Sequence, residues 1–76
     1  MNDKPAPSRK PRPGRFQVGD RVRLLHAWRG ALGEVVEDRG NLGVGGERIY
    51  AVRVRMDQWN EMTSEFPETS LEAVAG

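Results

Sequence analysis

Seventy-six residues with 12 Lys+Arg against 11 Asp+Glu leave room for one small domain, and a net charge of +1 imposes no polyanionic partner. The chain has no cysteine and one histidine, His26, which excludes disulfides, iron–sulfur clusters, thiol nucleophiles and any Cys- or multi-His metal site. Its longest apolar run, residues 49–52, is far short of the ~20 residues of a membrane helix, and the N-terminus has no apolar signal-peptide core. The expectation is a soluble cytoplasmic module with no membrane partner and no cofactor.

Residues 1–15 carry Lys4, Arg9, Lys10, Arg12 and Arg15 against Asp3, a net +4, and four of the five prolines. So little apolar surface cannot offset the ~1–2 kcal/mol per residue needed to order a backbone. These residues read as a disordered, basic, proline-rich arm, and residues 16–76 as the folded domain. The arm's cations could lie along nucleic-acid phosphates, gaining affinity by counterion release. They could equally be a solubilising leader with no partner. Residues 16–76 carry seven arginines and ten acids, a net −3.

The first predicted strand falls within residues 16–25, where Val22 and Leu24 share one face and Arg21 and Arg23 the other. A loop follows, holding His26, Trp28, Arg29 and Gly30. The second strand spans about 32–38 with Val35 inward, and residues 39–47, with four glycines, read as a flexible connection. The third strand, 49–56, places Tyr50, Val52, Val54 and Met56 on one face and Arg53 and Arg55 on the other. Asp57-Gln58 turns the chain into a fourth strand around 59–63, with Trp59 packed inward. Residues 65–69 read as a 3₁₀ turn, because Pro67 lacks a donor and Phe66 needs burial. Residues 71–74 close the chain as a short fifth strand. No stretch sustains helical spacing, so the fold class is all-β: a small five-stranded barrel whose closure would remove the exposed edges.

Val18-Gly19-Asp20-Arg21-Val22-Arg23-Leu24 followed by Arg29-Gly30-Ala31-Leu32-Gly33-Glu34-Val35-Val36 resembles the SH3-like barrels, in which a G-D-x-V-x-V strand leads into G-x-x-G-x-V. Tyr50-Ala51-Val52-Arg53-Val54 and the closing Phe66-Pro67 and Leu71-Glu72-Ala73-Val74 are similar to its small bacterial members. The resemblance covers residues 16–74 and implies a five-stranded SH3-like barrel. Two kinds of relative fit it. KOW-containing translation and transcription proteins imply RNA or ribosome contact, and the electron-transport accessory group implies a docking subunit. The paired-tyrosine segment of polyproline-binding SH3 domains is missing. Gly30 and Gly33 are expected where the chain bends sharply, at positive φ or where a side chain would clash.

The residues bear on three classes of function. Catalysis would have to run through His26, which has no neighbouring serine or threonine, and the Asp57, Glu61, Glu65 series has helical spacing in a strand context. The chain is therefore read as non-enzymatic. Docking to a larger protein would use Trp28 and Arg29 with Arg21, Arg23, Arg53 and Arg55, since Trp and Arg are enriched at interface hot spots. Trp28 could instead fold back as a lid on the barrel. Nucleic-acid binding would use the same arginines, joined by Arg39 or Arg48 if they project alike, plus Lys4, Arg9, Lys10, Arg12 and Arg15 of the arm. Against both, the arginines could pair with Glu34, Glu37, Asp38 and Glu47 as a mixed, solvated face. The free protein is expected to be monomeric.

Overall fold

A computed structural model describes residues 14–74; Lys4, Arg9, Lys10 and Arg12 of the basic arm lie outside the described residues. The protein is all-β. Five antiparallel strands, β1 (Arg21–Leu24), β2 (Leu32–Gly40), β3 (Ile49–Arg55), β4 (Glu61–Pro67) and β5 (Leu71–Ala73), form one sheet in the order β4-β3-β2-β1-β5. Among the described residues no helix is long and apolar enough to cross a membrane.

Alternation builds the strands and the core together. Val22 and Leu24 of β1, Val35 of β2, Tyr50, Val52 and Val54 of β3, Phe66 of β4 and Leu71 of β5 turn inward and bury one cluster with Phe16. Arg21, Arg23, Arg53 and Arg55 turn outward, as their positions in the alternation require. The long strand β2 carries two register shifts against β3, between Val35 and Glu37 and between Asp38 and Gly40, which bend it. Gly33 sits where β2 crosses β3 closely: a Cβ there would lie 2.6 Å from a Val52 methyl and 2.9 Å from the Arg53 carbonyl. Gly30 turns the β1–β2 connection at φ +89° and donates its N–H to the Leu24 carbonyl at 2.7 Å.

The expected closure does not form. β4 and β5 lie at opposite ends of the strand order and share no ladder, so the sheet curls around its core and stays open between them. β5 is only three residues long and follows β4 through a single 3₁₀ turn, Glu68–Ser70. That leaves too little strand to pair with both β1 and β4. The curl is nonetheless tight. Trp28, in the connection at one end of β1, reaches Phe66 near the far end of β4, with ring centroids 6.3 Å apart and nearly perpendicular.

Other boundaries shift for local reasons. Met56 was expected inward, but β3 ends at Arg55 and Met56 enters the turn, 42 % exposed. Phe66 and Pro67 belong to β4 and not to the 3₁₀ turn, which begins at Glu68. Pro67 pairs in register with Ile49 as the last residue of an edge strand, where a missing N–H costs little. β2 runs through Arg39 to Gly40, and the remaining connection is knit rather than loose. The Gly43 N–H donates to the Glu47 carbonyl at 2.8 Å, and the Asn41 side chain donates to the Gly46 carbonyl at 2.8 Å around a 3₁₀ turn at Val44–Gly46.

Candidate functional site: an exposed indole beside an arginine face

The β1–β2 and β3–β4 connections lie at the same end of the sheet, because the start of β2 pairs with the end of β3. At this end the tip of the β3–β4 hairpin is clamped by its own side chains. An Asp57 carboxylate oxygen accepts the N–H of Trp59 at 2.7 Å and that of Asn60 at 2.9 Å, while the Asn60 amide donates back to both Asp57 oxygens. The Met56 N–H donates to the Asn60 carbonyl at 2.9 Å, closing the turn. The donors, led by the Asn60 side chain and then the Trp59 amide, hold the Asp57 carboxyl below its ordinary pKa.

This turn decides where Trp59 goes. The turn takes up residues 57–60 and β4 begins only at Glu61, so Trp59 drops out of the strand alternation and stands 83 % exposed. The expectation of a packed Trp59 is overturned. The signal was present in the sequence, as an Asp followed three residues later by Asn, the side chains that hydrogen-bond their own turn backbone. Trp28 behaves differently. Its ring rests edge-on against the buried Phe66 and is 46 % exposed, so it forms a partial lid on the core with the rest of the ring in water. Its backbone sits at φ +51°, a left-handed conformation costing roughly 1–2 kcal/mol in a non-glycine residue. Arg29 beside it is exposed and makes no ion pair among the described residues.

The four strand arginines do come together on the outer face, but with acids between them. Arg53 holds Glu34 at 2.6 Å and reaches Glu61 at 3.9 Å, Arg55 holds Glu61 at 3.3 Å, and Arg23 lies 4.0 Å from Glu72. Arg21 stands opposite Glu34 in register yet makes no ion pair among the described residues. Arg21, Leu32, Glu34, Arg53, Arg55 and Glu61 surround a shallow hollow of about 330 Å³, with Leu32 47 % exposed. The alternatives left open on the sequence are thus both partly realised: the arginines cluster, and most are paired across strands.

Arg39 and Arg48 do not join them. Arg39 lies in β2 and pairs with Glu37 at 3.4 Å and Glu65 at 3.3 Å. Arg48 turns inward, only 9 % exposed, and one of its guanidinium nitrogens binds both oxygens of Asp38 at 2.8 and 2.6 Å. Asp38 raises the Arg48 pKa, so that guanidinium stays charged. Beside it the buried Tyr50 hydroxyl accepts the Phe16 N–H at 3.2 Å and donates to Glu68 at 3.0 Å, and Glu68 also accepts the Arg15 N–H at 2.8 Å. Burial is the main force raising the Tyr50 pKa. This network fastens residues 14–16 across the start of β3. Arg15, read from the sequence as part of the arm, lies within the described segment, with its guanidinium over the Phe16 ring at 5.1 Å. A buried arginine gives no sign of itself in a sequence, and this latch was not anticipated.

His26 is exposed in the β1–β2 connection. Asp57 is spent on the turn, Glu61 on Arg53 and Arg55, and Glu65 on Arg39. Among the described residues no group of three or more His, Asp or Glu side chains could hold a metal ion. No protein-family model, no curated protein and no solved structure matches the chain.

Proposed function

We propose that this protein is a non-catalytic docking module of the SH3-like type, monomeric when free, that acts in the cytoplasm by attaching to a larger protein. The strand order, with β1 between β2 and a short β5 reached through one 3₁₀ turn, supports the SH3-like reading. The observation that carries the docking reading is Trp59, an indole held in water by a turn built to keep it there. A large apolar side chain this exposed lowers its free energy on burial, and a preformed turn cuts the entropy lost in binding. The anchor is therefore Trp59, in the turn that follows Arg55 and Met56, with Trp28 and Arg29 as further exposed residues in the β1–β2 connection. A nucleic-acid reading shares this surface but places Glu34, Glu61 and Glu72 against phosphates, which counts against it.

The test is site-specific photo-crosslinking in the source cells. A benzoyl-phenylalanine at position 59 should give a discrete protein adduct. The same residue at position 42, an exposed leucine in the β2–β3 connection at the opposite end, should not. Identical adduct patterns from the two positions would refute docking through Trp59.

A further inference from the structure

The hollow on the outer face holds a surplus cation beside an uncovered aliphatic side chain. Three arginines, Arg21, Arg53 and Arg55, meet two glutamates there, Glu34 and Glu61. Glu34 lies opposite Arg21 in register, but its carboxylate is taken by Arg53 at 2.6 Å, and Glu61 is shared between Arg53 and Arg55. Among the described residues, the guanidinium in the hollow left without an ion pair is that of Arg21. It lines the same hollow as Leu32, whose side chain is half in water although it stands mid-sheet. A guanidinium fork matches a carboxylate with two parallel N–H donors, and an aliphatic floor next to it rewards an apolar neighbour.

We infer that this hollow receives an acidic segment of the docking partner, one Asp or Glu side chain on Arg21 with an adjacent aliphatic side chain on Leu32. The inference rests on the docking reading and specifies the partner's chemistry. The charge count is what selects a peptide. One surplus positive charge matches one carboxylate, whereas a polyanion would bring several phosphates against two fixed glutamates and release few counterions. The hollow's lining runs from Arg21 of β1 across β2 and β3 to Glu61 of β4, so a bound segment would lie across the strands.

The experiment is a two-dimensional amide NMR titration of the full chain at low salt with three probes. These are a capped Ser-Leu-Glu-Leu-Ser peptide, the same peptide with Gln for Glu, and a ten-nucleotide oligothymidylate. The Glu peptide should shift the Arg21, Leu32 and Arg55 amides. The Gln peptide should bind about threefold or more weaker, the scale of one charge-assisted contact at an exposed site. Arg21→Gln, an exposed position, should erase that difference between the peptides. Equal shifts from the Glu and Gln peptides, or no shift from either, would overturn the inference, as would oligothymidylate shifting these amides more strongly than the Glu peptide. Acetate producing the same shifts would also overturn it, reducing the hollow to a site for a free carboxylate. A failure here with the Trp59 crosslink intact removes only the partner's chemistry. Loss of that crosslink removes the docking reading itself.

Discussion

At the end of the sheet where residues 14–16 cross β3, polar side chains turn inward and are satisfied: Arg48 on Asp38, Tyr50 between the Phe16 amide and Glu68. At the other end an indole stands 83 % exposed and a methionine beside it in the turn 42 % exposed. The inward groups are spent on structure, since a buried donor or acceptor without a partner costs about 1–3 kcal/mol. The outward groups are a loss to the free protein, recoverable only by covering them. In so small a core, with a total stability of roughly 5–15 kcal/mol at most, polar side chains at one end help hold the fold while apolar ones at the other are left in water.

Substitution of the aromatic residue at each end should separate these roles, and the largest effect belongs to the latch. Tyr50→Ala removes a fully buried ring and its hydrogen bonds, and should cost about 3–5 kcal/mol in urea unfolding, enough to leave much of the chain unfolded. Trp59→Ala should leave the urea midpoint unchanged and weaken docking by about 2 kcal/mol or more, roughly a thirtyfold loss. If Trp59→Ala destabilised the fold as Tyr50→Ala does, the contrast between the two ends would collapse. Tyr50→Phe keeps the ring and removes only the hydroxyl, leaving the Phe16 amide without its acceptor, and should cost about 1–2 kcal/mol.

Titration sharpens the same contrast with smaller effects. Tyr50 is the only tyrosine, so phenolate absorbance reports on it alone. Its folded pKa is raised, chiefly by burial. The neutral ring's contribution is therefore complete below the unfolded value of about 10 and erodes as pH rises beyond it, so phenolate should appear later in the native protein than in urea. Asp57 has the opposite sign. Its folded pKa is depressed by the Asn60 and Trp59 donors, so its contribution is full above the unfolded value of about 4 and is lost as pH falls through the lower folded value. The stability difference between the native chain and Asp57→Ala should be flat near neutral pH and shrink in acid. A difference that persists at low pH would mean that the turn does not depend on the carboxylate.

Strand positions were legible because alternation is a local property. Val22 and Leu24, or Tyr50, Val52 and Val54, can share a face only if the chain is extended, and each of these side chains is buried. The bends at Gly30 and Gly33 were legible for a similar reason, one lying at positive φ and the other at a close backbone approach. The candidate site was only half legible. Its arginines followed from the same alternation, whereas the exposure of its two tryptophans did not. Whether Trp28 or Trp59 is covered depends on what the curl of the sheet brings near it, and for Trp28 that is Phe66, a residue 38 positions away in sequence.

The order of residues along the chain therefore determined the all-β character, the strands and the face on which each arginine emerges, all set by backbone geometry over a few neighbouring positions. Only the tertiary structure decided that the sheet stays open between β4 and β5, that Arg48 is drawn inward to Asp38, and that Arg21 is the strand arginine left without an ion pair among the described residues. These outcomes turn on contacts between distant segments. Burial, ion pairing and closure are properties of pairs of strands, and no single strand carries them.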